Sequence, residues 1–389
     1  MILETKGYSY NDLTIIPEVI SDVESRSQCN PFVSENKLPI FASPMASVVD
    51  DANYDTFMNN YITPIIPRNI DIKTRILKMN EQKWVALSLR EFEDLFINNY
   101  KDRLEEIGHH YYICVDIANG HMKSLYEKCR EAKMAAVKGG YKLTIMTGNI
   151  ANPETYKWII NYNDNYGKII DYIRVGIGGG CGCITTSNTS AHYPQASLIN
   201  ECYKIKDYWK TYISSRDIVP YIVADGGIRN YDHVIKALAL GADYVMIGSL
   251  FAQCIESAGI KYMGMMNNSP MKFNYDAYVE DSLYIDSNGN WMGRIKQLRD
   301  EDYIGELNVK FFGMASADGQ KSISGKKTKT SEGITKYLPV KYTLSGWVKN
   351  MVSYLQSAMS YTDCKTLTEF IGKPKLIPNS ISEIQAVNK

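Results

Sequence analysis

Ile173-Arg174-Val175-Gly176-Ile177-Gly178-Gly179-Gly180-Cys181-Gly182-Cys183-Ile184-Thr185-Thr186 starts as a β-branched run and then breaks into five glycines within seven residues. A short apolar run ending in glycine ahead of an amphipathic stretch reads as strand, loop, helix. The same rhythm recurs along the chain. Strand-like runs at 38–42, 84–87, 112–115, 143–146, 173–175, 222–224, 244–247 and 309–312 each end in small or polar residues. Strands that alternate with helical patterns imply parallel βαβ units. Eight of them predict an α/β fold, a closed (β/α)8 TIM barrel. The glycine-, aspartate- and serine-rich segments follow the strands, so one site is expected at the face where the strand carboxyl ends open.

Two stretches interrupt the rhythm. Residues 260–307 are polar and aromatic, with a Ser-Asn-Gly-Asn turn signal at 287–290, and read as an insertion before the last strand that holds a hairpin. Residues 317–337 begin with a basic, Gly- and Ser-rich segment without apolar periodicity and read as a lid loop after that strand. The expected organisation is one barrel domain over 1–375 and a C-terminal tail over 376–389.

Composition excludes several classes. Lys plus Arg (43) balances Asp plus Glu (43), so no net field favours nucleic acid or an anionic membrane. No apolar run approaches the roughly 20 residues that span a bilayer. The first ten residues are polar and acidic rather than signal-like. The eight cysteines lack the spacing of a secreted disulfide framework. A soluble, cytoplasmic protein is expected.

The cysteine loop carries the chemistry. Its glycines permit close backbone approach to a ligand. Exposed amides can nest an anion, and carbonyls turned the other way can ring a cation. Cys183, two residues before the Thr185 hydroxyl, is placed like a nucleophile. Half a zinc site, a redox pair with Cys181, and a phosphate loop with inert cysteines remain open as alternatives. A Rossmann reading fails, because no acidic residue sits about 20 positions on at a strand end. Taken singly, Asp225-Gly226-Gly227 is an ordinary turn signal, Glu332 a surface acid, Asp116 a helix cap, and the five histidines show no shared metal spacing.

Val175-Gly176-Ile177-Gly178-Gly179-Gly180-Cys181-Gly182-Cys183-Ile184-Thr185-Thr186 with Tyr193-Pro194-Gln195 resembles the active-site loop of the inosine monophosphate dehydrogenase / guanosine monophosphate reductase superfamily. Further matches run in family order: Tyr10-Asn11-Asp12-Leu13, Ser43-Pro44-Met45, Val223-Ala224-Asp225-Gly226-Gly227, Met246-Ile247-Gly248-Ser249 and Phe312-Gly313-Met314-Ala315-Ser316. Cys114-Val115-Asp116-Ile117-Ala118-Asn119-Gly120 and Ser331-Glu332-Gly333 are closest to the reductase. Between Gly313 and Glu332 there is no Arg-Tyr pair of the kind with which dehydrogenases activate water. Ser43-Pro44-Met45, Gly248-Ser249 and Arg68-Asn69 resemble the dehydrogenase form, but the paired regulatory (CBS) domain that many dehydrogenases insert is absent from this stretch. Cys181 stands where the family has a phosphate-binding Ser, Ala46 where it has an Asp, and Phe311 near a Tyr that often contacts phosphate.

The resemblance implies a GMP reductase, converting GMP to IMP and ammonia with NADPH through a covalent cysteine–purine intermediate. An NAD-dependent IMP dehydrogenase and an inactive nucleotide-binding relative are the alternatives. It implies Cys183, Thr185 and Glu332 as catalytic residues. Asp225, Gly226, Gly227, Gly248, Ser249, Gly313, Met314 and Ser316 would bind substrate. Asp116, Asn119 and Asn149 would bind cofactor, and carbonyls of Gly178, Gly180 and Cys183 would hold potassium. The basic run 321–329 would help attract the NADPH 2′-phosphate. A homotetramer is implied, with no nucleic-acid or membrane partner.

Overall fold

Trp84–Leu87 is buried at every position, as expected of a strand covered by helices outside and by packed side chains inside. The computed structural model describes residues 6–98, 109–212, 216–266, 269–272, 283–285, 291–293, 307–326 and 330–380. Eight parallel strands form its centre: β1 (Ile40–Ala42), β2 (Thr63–Pro64), β3 (Trp84–Leu87), β4 (His110–Val115), β5 (Lys142–Ile150), β6 (Tyr172–Val175), β7 (Tyr221–Asp225) and β8 (Tyr244–Ile247). They lie in the order β2-β1-β8-β7-β6-β5-β4-β3. Just past β2, Ile66 bridges Val85 in parallel. The Ile66 N–H donates to Trp84 O at 2.9 Å, and the Ala86 N–H donates to Ile66 O at 2.8 Å, which closes the ring. The fold is the (β/α)8 barrel.

Its membership differs from the sequence expectation at one strand. Thr63–Pro64 is a barrel strand that the sequence reading omits. The run at 309–312 belongs instead to a separate antiparallel sheet, ordered β10-β9-β11-β12, where β9 is Lys261–Met266, β10 Ser269–Lys272, β11 Leu307–Phe312 and β12 Thr335–Pro339. The insertion therefore follows the complete barrel. Burial in β11 alternates along the strand, the pattern of a sheet covered on one face. Leu283–Ile285 pairs antiparallel with Trp291–Gly293 as the expected hairpin; its turn and most of the insertion lie outside the described residues.

The lid segment also differs. Ala317–Ser324 is a helix, because Ser316 Oγ accepts the Gly319 N–H at 3.0 Å as N-cap, and Gly325 ends it at φ 74°. Residues 327–329 of the basic run and 381–389 of the tail lie outside the described residues. Leu376–Pro378, assigned to the tail, pairs antiparallel with Leu13–Ile15.

The barrel interior is packed rather than hollow. Phe41, Trp84, Met146, Val223 and Met246 fill it, with Tyr112, Tyr172 and Tyr244 against them. Trp84 meets Tyr172 edge-on at 5.5 Å and Phe41 at 5.6 Å, favourable geometry for aromatic quadrupoles. At the strand amino ends, Asp171 Oδ2 accepts the Ile145 N–H and Asp243 Oδ2 accepts the Ile222 N–H, each at 2.7 Å. Lys133 and Lys206 neutralise these two carboxylates. With that end plugged, the open end carries the site. Among the described residues, no helix is long and apolar enough to cross a membrane.

Candidate active site

The glycine loop after β6 can fold back because its backbone takes left-handed conformations. Gly178 has φ 80°, and a Cβ there would collide with Thr186 Oγ1. The loop is then stitched to two neighbours. Gly227, in the turn after β7, donates its N–H to Gly179 O at 2.9 Å. Cys183 pairs with Gly333 as an antiparallel bridge. In that ladder the Ile184 N–H donates to Glu332 O, and the Ile334 N–H donates to Gly182 O, both at 3.0 Å.

This pairing assembles three functional groups from two distant segments. The Cys183 thiol donates to Thr185 Oγ1 at 3.2 Å, and the Thr185 hydroxyl donates to Glu332 Oε2 at 3.1 Å. The Thr185 N–H also points at Cys183 Sγ, 3.5 Å away. A thiol, a hydroxyl and a carboxylate in series form a proton path away from the sulfur.

Cys183 and Glu332 open into a cleft lined also by Ser43, Met45, Gly180, Asp225, Gly226, Gly227, Gly248, Ser249, Gly313 and Met314. The two glycine turns follow β7 and β8, the usual phosphate position in such barrels. Gly226 and Gly227 have φ 96° and 77°. Beneath them, His233 Nδ1 lies 3.0 Å from Gly227 O, and Nε2 lies 2.6 Å from Asn11 Oδ1. The amino-terminal Tyr10-Asn11-Asp12 segment is thereby tied to the turn. Burial lowers the His233 pKa and so favours the neutral ring.

A charged cluster extends sideways from the cleft. Arg174 is buried, and its guanidinium reaches Asp116 Oδ1 and Asp225 Oδ2, each at 2.8 Å. Although burial opposes it, the nearby carboxylates hold its pKa well above the ordinary arginine value. Asn149 Nδ2 donates to Asp225 Oδ2 at 2.8 Å and to Gly176 O at 2.7 Å. The Arg68 guanidinium donates to Asp116 O at 3.1 Å. All side-chain partners of Asp225 among the described residues thus engage Oδ2.

The structure brings most expected site residues together, with three distinctions. Ser316 is not in the cleft wall, because its hydroxyl caps the helix behind Gly313. Asn119 lies apart on an exposed turn, where its Oδ1 accepts the His121 N–H at 3.0 Å. Asp116 does not cap a helix but pairs with Arg174. Sequence reading gave Arg68, though quoted with Asn69, no site role, and it missed Arg174, whose only signal was an arginine inside an otherwise apolar strand end. Among the described residues all eight cysteines are free, and no group of His, Cys, Asp and Glu could hold a metal. The zinc alternative therefore has no ligand set there.

Two groups implied by the sequence fit on local evidence. Thr186 Oγ1, beside Gly178, is buried without a hydrogen-bond partner among the described residues, which suits a monovalent cation next to loop carbonyls. Arg68 Nε and Asn69 Oδ1 are likewise buried and unpartnered. They flank the Asp116 cluster and offer a donor and an acceptor to a polar ligand such as a carboxamide.

The site is a cleft at the carboxyl end of a closed (β/α)8 barrel, where a cysteine in a glycine loop opens beside two glycine turns. Residues 7–275 match the model of the IMP dehydrogenase / GMP reductase domain. The chain belongs to this family, whose members are nicotinamide-dependent oxidoreductases acting on purine nucleotides. It is 27% identical over 375 residues to the GMP reductase of Streptococcus pyogenes serotype M4 (strain MGAS10750), covering 92% of this chain and 91% of the relative. It is 28% identical over 268 residues to the GMP reductase of Caenorhabditis elegans, covering 68% of this chain and 59% of that protein. With the GMP reductase of Mesoplasma florum the identity is 30% over 263 residues, 65% of this chain and 74% of the relative.

Proposed function

We propose that this protein is a GMP reductase, with residues 1–375 as its catalytic domain. The observation that carries the reading is the hydrogen-bonded series Cys183–Thr185–Glu332 at the mouth of the phosphate cradle. Glu332 takes the Cys183 proton through Thr185, and the thiolate attacks C2 of the guanine base. The same carboxylic acid then returns the proton through Thr185 to the departing amine, so ammonia leaves and the purine stays bonded to sulfur. NADPH, when bound, supplies the hydride that C2 requires. Loss of the thiolate then frees IMP, and one GMP, one NADPH and two protons give IMP, ammonium and NADP+.

Asp225 Oδ1 faces the ribose hydroxyls while Arg174 and Asn149 hold Oδ2. The turns at Gly226-Gly227 and Gly248-Ser249 take the phosphate, and Gly313 and Met314 border the base. Asp116 and Asn149, with Arg68 and Asn69 beside them, hold the nicotinamide end of the cofactor. Carbonyls of Gly178, Gly180 and Cys183, with Thr186 Oγ1, hold potassium. A cytoplasmic homotetramer belongs to the same reading.

Reduction of GMP rather than oxidation of IMP is favoured because residues 313–332 contain neither Arg nor Tyr to activate water. The test follows NADPH absorbance with GMP, and NAD reduction with IMP, in the wild type and Cys183→Ala. Loss of NADPH with GMP alone, abolished in the variant, is expected. Robust NAD reduction with IMP would make the enzyme a dehydrogenase, and nucleotide binding without either reaction would make it an inactive relative.

A further inference from the structure

The cleft wall is short of positive charge for a ligand that carries a phosphate dianion. Its lining residues include two carboxylates, Asp225 and Glu332, and neither lysine nor arginine. Cys181 stands where the family resemblance implies a phosphate-binding Ser, and Phe311 near an implied Tyr, yet neither side chain carries an O–H. One cation lies against both. Lys336 of β12 sits directly opposite Phe311 of β11 in the antiparallel register, so their side chains share a face of the sheet. That face carries Val309 and Phe311, which are buried, and Phe311 lines the cleft. Lys336 itself is exposed at the rim of that face. Lys336 Nζ lies 3.9 Å from Cys181 Sγ, and Cys181 is itself part of the cleft wall. Among the described residues, no carboxylate pairs with Lys336.

We propose that Lys336 is a substrate-binding residue whose ammonium engages the 5′-phosphate of the purine nucleotide. It replaces hydroxyl contacts that Cys181 and Phe311 cannot make. The inference rests on the nucleotide reading of the cleft, and not on the direction of the reaction. Because the lysine stem is flexible and the head exposed, the ammonium can move from the sulfur to a phosphate oxygen without displacing backbone. Neutral glycine turns orient the phosphate, and Lys336 supplies the charge that makes the site prefer a nucleotide to a nucleoside. A point charge at the rim is screened by salt, so binding weakens as ionic strength rises.

The test compares wild type, Lys336→Met and Lys336→Arg by calorimetric titration with GMP, IMP and guanosine, without cofactor. Lys336→Met is expected to weaken GMP and IMP binding about tenfold, or about 1.4 kcal/mol. Guanosine affinity should not change, and the salt dependence should flatten. Lys336→Arg should keep most of the nucleotide affinity. Equal nucleotide affinity in Lys336→Met, or equal losses for GMP and guanosine, overturns the assignment. Steady-state KM values separate the other phosphate source: a loss confined to NADPH, with NADH and GMP unaffected, overturns it in favour of the cofactor 2′-phosphate. Failure of the wild type to bind any purine nucleotide would refute the functional reading itself, and Lys336 with it.

Discussion

Cys183 and Gly333 face each other across an antiparallel bridge, although 150 residues separate them in sequence. That pairing positions Glu332. The segment 332–334, just before β12, is held to the cysteine loop by two backbone hydrogen bonds, so its acid is fixed beside Thr185 by the main chain rather than by side-chain packing. In the proposed mechanism the nucleophile and the proton carrier would therefore be preorganised on rigid backbone, which favours efficient proton transfer.

Glu332→Gln and Thr185→Val are each expected to lower kcat roughly 10²- to 10⁴-fold, the usual contribution of a positioned acid–base group. Nucleotide affinity should stay near that of the wild type, because the Thr185 hydroxyl and the Glu332 carboxylate are tied to each other and to Cys183. Stopped-flow turnover with calorimetric binding of GMP checks this. Loss of affinity equal to the loss of kcat would mean that the pair shapes the site rather than moving a proton.

Arg174 bridges two carboxylates while buried. Arg174→Met leaves Asp225 without its cationic partner and Asp116 with only Arg68, 3.6 Å from Oδ2. Breaking a buried pair in this way costs about 3–5 kcal/mol. A lower denaturant midpoint is expected, together with weaker nucleotide binding as Asp225 loses its orientation. Unchanged stability would show that the cluster is solvated.

His233 gives a pH dependence. Burial lowers its pKa from the ordinary 6.5, so the unfolded chain binds the proton more readily than the folded one. Its contribution to stability is full above about pH 6.5 and is lost as pH falls through the lowered folded value. Protonation also removes the acceptor that Nδ1 offers to the Arg229 N–H at 3.2 Å, so KM for the nucleotide should rise over the same acid range. Melting temperatures and KM at stepped pH, compared with His233→Gln, test this. The variant should flatten both profiles, and parallel profiles would exclude His233.

Trp84 plugs the end of the barrel away from the chemistry. Trp84→Ala should cost about 3–5 kcal/mol through the cavity it leaves, while kcat of the folded fraction is retained. Chemical denaturation and turnover separate the two effects.

Much of this architecture is visible in the sequence, and the exceptions have physical causes. Seven of the barrel strands stand out as apolar runs because parallel strands are buried on both faces. Thr63–Pro64 does not, since two residues with a proline carry no periodicity, and the ring closes through the single bridge at Ile66. Val309, Lys310, Phe311 and Phe312 look like an eighth strand, but the lysine within the run signals a sheet with one wet face. At the site, Cys183, Thr185 and the glycine turns announce themselves by local spacing. Arg174 does not, because its partners Asp116 and Asp225 lie 58 and 51 residues away. Ser316 carries the look of a binding residue, yet its hydroxyl is used by the helix that it starts.

The claim underlying all of this is that Cys183 forms a bond to C2 of a purine nucleotide. Incubation with a 2-halopurine ribonucleotide, followed by peptide mass spectrometry, tests it directly. The account predicts one nucleotide added with loss of halide, on the peptide containing Cys183, and none in Cys183→Ala. Label on Cys181 alone, or no label from an enzyme that still turns over GMP, would contradict it.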